Sequence, residues 1–430
     1  MKKSHDLVRG LGLFALTASV FNCTVGGGIF RLPSSVYAIV GSASPLVYLI
    51  CFMVMALVAL VFIQVGSKIS ASGGPYAYVQ PVLGPYFGFL CGVLLWALAM
   101  FAMASVANAY ASFVGQAIPQ LSSPLAQMIT LAFTFVLLAV LNIRGVKQGA
   151  ILSIILSALK IIPLLLLTFV GIPALDSTKL ALPTPLPWPD LARGAMVLIF
   201  AFTGIECALI PSGEIKNPEK AVPRALFLGL FIVLFLYLGV QTVSQSVLGA
   251  ALGAPGGFPL ADTAEKLLGH WGAVLIKIGA VFSTLGYLSA ITLSLPRSLF
   301  AFAEDGYLPK FLARVHPSHH TPANAIIVQV ALAWGLAVSN QFEKLAVLSN
   351  LSAILMYILC ATAAVKLGGI QKRSVWFYLA PIFATLSLSY LLTSVTVTEW
   401  MSVVAVIAVA SLIYLLRKTP LRTRQNLPIA

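Results

Sequence analysis

Long apolar runs separated by short polar connections set the pattern of this chain. A helix needs roughly 20 apolar residues to cross a hydrocarbon layer. Twelve runs qualify: residues 11–40, 45–67, 86–117, 124–141, 150–171, 191–212, 223–247, 270–302, 324–339, 344–366, 375–393 and 398–416. Two of them are interrupted. Gly26-Gly27-Gly28 falls in the middle of the first, and Gly204 followed by Glu206 falls in the middle of the sixth. The two runs start 180 residues apart, and their breaks lie 177 apart. Inside a bilayer, backbone that leaves the helical ladder is tolerated only beside protein or a wet cavity. Matching breaks in two halves therefore predict a solute site between two repeats.

Composition agrees with the pattern. The chain is 60% hydrophobic and only 9% charged over 430 residues, where a soluble domain carries about 25% charge. The expected fold is all-α and integral to a membrane, with about twelve transmembrane helices. The connections leave no room for a separate soluble domain, so residues 1–430 read as one membrane domain. Met1 to Gly10 is a short polar head without a cleavage pattern, so the first run is expected to be a retained helix rather than a signal peptide. The net charge of +14 is a matter of topology. With twelve spans both termini share one side, and that side collects 19 of the 26 Lys and Arg residues. Basic loops stay cytoplasmic, so both termini are expected inside. The excess charge then meets anionic lipid heads, not nucleic acid. The expected location is the cell (inner) membrane. Oligomeric state is left open.

The breaks carry the candidate chemistry. The helix end after Gly26-Gly27-Gly28 exposes N–H groups of about Gly27, Gly28 and Ile29, and its positive dipole end suits a carboxylate. The helix end before it leaves carbonyls around Phe21 to Val25, which suit an ammonium. The sixth run repeats this arrangement, with carbonyls near Phe200 to Thr203 and N–H groups after Gly204. Paired donors and acceptors at this scale fit a small zwitterion. A glycine-rich helix crossing is the structural alternative. Arg31, Lys160 and Glu206 lie at membrane depth, where a charge costs on the order of 2.5–3.5 kcal/mol on insertion scales. Lys277 is near enough to a span end to snorkel. Arg31 reads as an anchor to a carbonyl or to an outer vestibule. Cys23, Cys51, Cys91, Cys207 and Cys360 lack metal-ligand spacing and read as small buried hydrophobes, with Cys23 and Cys207 close to the breaks. His316, His319 and His320 read as a solvated loop. No metal or other cofactor is expected.

Several motifs together resemble the amino acid–polyamine–organocation (APC) superfamily. Gly-Gly-Gly-Ile-Phe followed by Pro33 resembles its first-helix signature. Phe200-Ala201-Phe202-Thr203-Gly204-Ile205-Glu206, with Gly213-Glu214-Ile215-Lys216-Asn217-Pro218 and Pro223-Arg224-Ala225, resembles its sixth helix and following loop. Arg297, the run Ala301 to Gly306, Leu308-Pro309 and Thr321 to Ala325 resemble its stretch after helix eight. The resemblance covers about residues 8–370. It implies a 5+5 inverted repeat, residues 11–171 against 191–366, with two appended helices in 375–416. It also implies alternating access for amino acids or related amines.

Carried over by position, Thr24, Val25, Gly26, Gly27, Gly28 and Ile29 match the segment that holds the substrate's carboxylate and amine. Phe200 matches an aromatic that covers the substrate, and Phe202, Thr203 and Gly204 match the unwound stretch. Glu206 matches an acidic residue linking the broken helices; its structural role would be to accept from N–H groups of the first break, and proton handling is the other. Trp96, Met100 and Met103 share one face of the third span, which flanks the pocket in the family. Met100 and Met103 are thus candidate contacts for the substrate side chain, or simply packing residues. Lys160 resembles members that place an ammonium where sodium-driven relatives of the wider fold bind a cation. Its expected partners are carbonyls near Asn22 and Thr24 and the hydroxyls of Ser289 and Thr292.

The expected function is secondary active transport of amino acids, with neutral ones favoured because Glu206 is the only deep carboxylate. Transport is expected to be sodium-independent, by proton-coupled symport or by exchange. The alternatives are an antiporter of polyamines, amines or cationic amino acids, or a non-transporting sensor of the same fold. No Gly-x-x-x-x-Gly-Lys-[Ser/Thr] loop for ATP is present, and a soluble catalytic centre has no place to form, so no enzyme activity is expected.

Overall fold

The computed structural model describes residues 12–66, 75–144, 160–206, 217–254, 258–319, 321–339, 341–371 and 373–416. Cys207, the motif 213–216 and His320 lie outside the described residues. Among the described residues the structure is helical throughout: α1 (Leu13–Thr24), α2 (Leu32–Val40), α3 (Ser44–Gly66), α4 (Pro75–Leu83), α5 (Pro85–Ala117), α6 (Pro124–Arg144), α7 (Ile161–Gly171), α8 (Trp188–Leu198), α9 (Pro218–Leu248), α10 (Pro259–Leu268), α11 (His270–Ser294), α12 (Pro296–Glu304), α13 (Ala323–Ser339), α14 (Phe342–Ile370), α15 (Trp376–Leu392) and α16 (Val397–Leu416). Helices fall on each of the twelve expected segments. Among the described residues, seven helical stretches are long and apolar enough to cross a membrane, and three shorter apolar ones lie at 161–174, 323–339 and 376–392.

Local sequence explains the interruptions. α1 ends at Thr24, and the chain resumes as a 3-10 turn over Gly27–Phe30. Three successive glycines make continued helix costly at that point. Pro33 in the first turn of α2 starts the next helix. α8 ends at Leu198 and passes through a 3-10 turn over Ile199–Ala201. Both expected breaks are therefore present. The eighth segment bends at Pro296, where α11 gives way to α12.

Burial sorts the helices into layers. In the most apolar stretch of each, 72% of α5 and 78% of α14 is buried, against 28% of α6 and 17% of α16. So α5 and α14 form the centre and pack on each other, while α6 and α16 lie at the rim. α1 packs on α9, α2 on α8, α11 on α5, and α3 on both α8 and α9. Phe133, Phe235, Trp376 and Leu415 project outward, giving a rim suited to hydrocarbon.

Polar side chains stitch the buried layers together. Asn350 of α14 donates to the Met196 carbonyl of α8 at 2.6 Å. Ser349 donates to Leu98 O at 2.9 Å, and Ser105 donates to Phe342 O at 2.9 Å. Arg193 of α8 forms a two-pronged pair with Glu399 of α16, at 3.1 and 2.9 Å. Such bonds between membrane helices are each worth about 0.6 kcal/mol, rising to about 1.7.

Close helix approach makes a prediction. A Cβ on Gly171 of α7 would lie 2.1 Å from Val243 Cγ1 of α9, whereas Gly335 has nothing within 4 Å. Gly171→Leu is expected to lower the melting temperature of the purified protein, since overpacking costs about 1–3 kcal/mol. Gly335→Leu is expected to leave it unchanged.

Candidate functional site

The two breaks meet. Gly204 sits at φ +109, a region that side chains disfavour, and a Cβ there would lie 2.6 Å from the Cys23 carbonyl oxygen. Glycine is thus required twice, for its backbone angle and for the approach of α1. The Phe200 ring lies over Gly28, with Cδ1 3.2 Å from where a Cβ would stand. Gly27 faces Thr284, whose methyl would lie 2.2 Å from an added Cβ.

The carbonyls released at the end of α1 are claimed by other helices. Tyr237 of α9 donates its hydroxyl to Thr24 O at 3.2 Å. The Lys160 ammonium, 3% exposed, donates to Val25 O. Ser283 of α11 donates to Gly26 O at 3.4 Å. Each of the three carbonyls thus has a donor, the charged one at the middle position, in a medium that offers no water to serve instead.

At the second break, the Glu206 carboxylate accepts from the Gly204 N–H at 3.1 and 3.2 Å, and from the Tyr357 hydroxyl of α14 at 3.0 Å. This corrects the expectation that Glu206 serves N–H groups of the first break. A spacing of two residues folds the carboxylate back onto its own turn. Thr203 donates to Phe200 O at 2.9 Å.

A cavity of about 150 Å³ lies against both breaks. Its wall includes Thr24, Gly26, Gly28, Phe200, Thr203 and Gly204, together with Lys160, Glu206 and Cys23. The structure therefore gathers eight of the residues expected there from the sequence. Val25, Gly27, Ile29 and Phe202 are buried behind this wall. The Val25 carbonyl is taken by Lys160, and Phe202 packs edge-on against Tyr237 at 5.5 Å. The opposite wall is mostly apolar: Leu98, Ala99, Ala102 and Val106 of α5 face Tyr287 and Ile291 of α11.

Other expected positions are corrected. Met100 and Met103 do not line the cavity; their sulfurs accept from Gln329 Nε2 of α13 at 3.2 and 3.9 Å. The stripe that reaches the cavity is the neighbouring one on α5. Ser289 and Thr292 do not line the cavity either. The Thr292 hydroxyl donates to Leu288 O within its own helix, and on the same helix Ser283 reaches the first break at Gly26 O. Arg31 pairs with a carboxylate rather than a carbonyl: its Nε lies 3.0 Å from Glu343 Oε1, and its guanidinium lies 5.6 Å from the Phe342 ring centre. His316 accepts through Nδ1 from the N–H groups of Ser318 and His319 at 3.3 Å. Tyr237, Tyr287 and Tyr357 were missed from the sequence. The available signal was a phenol hydroxyl deep in an apolar span, where it needs a partner.

The sequence profile of the amino acid permeases matches residues 11–419. The chain belongs to this family. The permease thus lies within the APC superfamily, a group of transporters rather than enzymes. It is 30% identical to a serine/threonine exchanger of Bacillus subtilis, over 93% of this chain and 94% of that one. It is 26% identical to a methylthioribose transporter of the same organism, over 96% of this chain and 94% of the relative. It is 24% identical to a cadaverine/lysine antiporter of Escherichia coli, over 85% of each chain. These relatives take different small solutes, so kinship alone defines transport and not the cargo.

The permease's second break yields a prediction. Gly204→Ala is expected to abolish thermal stabilisation by substrate, because α1 cannot approach. Tyr357→Phe removes one hydrogen bond, worth about 1 kcal/mol. It is expected to lower the melting temperature by a few degrees while leaving substrate stabilisation measurable.

Proposed function

We propose that the permease is a sodium-independent carrier of small neutral amino acids, working by proton-coupled symport or exchange with alternating access. The observation that carries this reading is the Lys160 ammonium on the Val25 carbonyl, beside a cavity walled by the main chain of two broken helices. A fixed ammonium occupies the acceptors that a sodium ion would need, so the site is complete without that ion. The amino acid's carboxylate and ammonium meet the N–H and C=O groups of the two breaks.

Three features support a small neutral side chain. Glu206 is the only carboxylate on the cavity wall among the described residues, and both its oxygens already accept hydrogen bonds. The wall facing the breaks is largely aliphatic. The volume is small, with Phe200 lying across Gly28. The serine/threonine exchanger among the relatives points to the same class of cargo. Helix pairing supports the proposed repeats, residues 11–171 and 191–366 with 375–416 appended: α7 packs on α9 as α14 packs on α3, which exchanges the halves. The charge bias supports a cell-membrane protein with both termini cytoplasmic. On that orientation, Arg31 and Glu343 lie on the outer side of the substrate cavity.

Two measurements test the reading. Uptake of labelled L-serine, L-threonine and L-alanine into proteoliposomes is expected to be equal in sodium and choline buffers; strong sodium dependence overturns the role given to Lys160. In a thermal-shift screen of all amino acids and common amines, small neutral amino acids are expected to give the largest shifts, since stabilisation grows with concentration over Kd. Larger shifts with lysine or cadaverine overturn the cargo class.

A further inference from the structure

A cleft of about 470 Å³, which shares no residue with the wall of the substrate cavity, lies between the rim helix α16 and α5, α12 and α13. α5 contributes from its first half, at Phe89 to Trp96, and α16 from its second half, at Ala405 to Ile413. The cleft therefore lies toward the end of the bundle where α5 starts and α16 stops. It opens sideways: Leu332 and Val409 belong to its wall and are 45% and 57% exposed.

The wall is dry. Among the described residues its only polar side chains are Trp96 and Tyr307. The Trp96 N–H is given to Gln329 Oε1 at 3.1 Å, and the Tyr307 ring stacks on Phe89 with centres 4.2 Å apart. At the same end, the hydroxyls of Tyr86 and Ser411 bond to each other at 2.8 Å. Such a wall gives water nothing to bond to, and a void there would forfeit packing contacts on every side. Hydrocarbon is the filler that fits. The most apolar stretch of α16 is only 17% buried, so the cleft borders the region that lipid chains occupy.

The mouth adds charge. Leu308 and Leu312 stand in the wall. Leu312 belongs to a 3-10 turn over Lys310–Ala313, which Asn324 pins by donating to Phe311 O at 2.8 Å. Lys310 and Arg314 flank Leu312 and are exposed, as are the rings and branches of Phe311 and Val315. Basic and apolar side chains mixed in this way suit a membrane interface. Glu304 and Asp305, also exposed, come at the end of α12 and precede Tyr307; the residues on either side of Leu312 are the basic ones.

We propose that this cleft binds an anionic phospholipid, with one acyl chain between α16 and α5 and its phosphate on Lys310 and Arg314. A single chain or a single ionic contact holds a lipid only weakly, whereas the two together make a lasting attachment. The bound lipid fills the gap that holds the rim helix away from the centre.

Titration of the purified, delipidated full chain, followed by native mass spectrometry and by melting temperature, tests this. The probes are dioleoylphosphatidylglycerol, dioleoylphosphatidylcholine and glycerol phosphate. Phosphatidylglycerol is expected to bind more tightly than phosphatidylcholine and to raise the melting temperature more. Lys310→Gln and Arg314→Gln, both at exposed positions that folding tolerates, are each expected to weaken phosphatidylglycerol about fivefold and to leave phosphatidylcholine unchanged. Ala405→Trp, on the exposed part of the wall, fills the cleft and is expected to weaken both lipids at least tenfold, since several methylenes lose their place. Equal binding of the two lipids, or phosphatidylglycerol binding that either the two basic variants or Ala405→Trp leave unchanged, overturns the proposal. Protection by glycerol phosphate equal to that by the lipid overturns the part given to the cleft. A dimer that Ala405→Trp splits assigns the cleft to a second copy of the chain instead.

Discussion

The structure depends on how this chain satisfies backbone groups that its own helices abandon inside an apolar slab. Where α1 stops, three successive carbonyls need donors, and they receive a phenol, an ammonium and a serine hydroxyl from three other helices. Where the second break turns, a carboxylate returns to its own N–H and is steadied by a tyrosine. Each of these donors is buried, so none is free to be replaced by solvent. The packing of α9, α11, α14 and the start of α7 brings those side chains to two short stretches of main chain.

The cost of this arrangement explains the location of the few charges. A lone ammonium at depth is expensive, and an open carbonyl such as that of Val25 would be expensive too. Joining them lets each offset the other. The pairs at the rim of the cavity system, Arg31 with Glu343 and Arg193 with Glu399, follow the same rule with less burial of the cations. In both pairs the arginine lies close to a broken span and the carboxylate on a helix outside it.

Much of the fold was legible from the sequence because its signals are local. Apolar run lengths located the helices; a glycine cluster located the first break, and Gly204 with Glu206 the second. The resemblance pointed to the superfamily to which the chain belongs. At the site, Thr24, Gly26, Gly28, Phe200, Thr203, Gly204, Lys160 and Glu206 gather around one cavity. What could not be read was rotation about helix axes. Met100 and Met103 sit on the correct helix, but α5 turns the stripe of Ala99, Ala102 and Val106 to the cavity. Likewise α11 turns Ser283 to the first break, a contact not read from its sequence. A largely apolar span with polar residues scattered around it has no single polar face to set its phase, so tertiary packing decides it. Tyr237 and Tyr357 were hidden for the same reason, as aromatic residues in runs where aromatics are ordinary.

The contact between Gly204 and the Cys23 carbonyl has a mechanical meaning. At that point the two interrupted helices touch main chain to main chain, with no compliant side chain to absorb displacement. A tilt in one half-helix is handed to the other without slack. The crossing has the geometry of a stiff pivot, set by main chain alone and therefore independent of which side chains surround it.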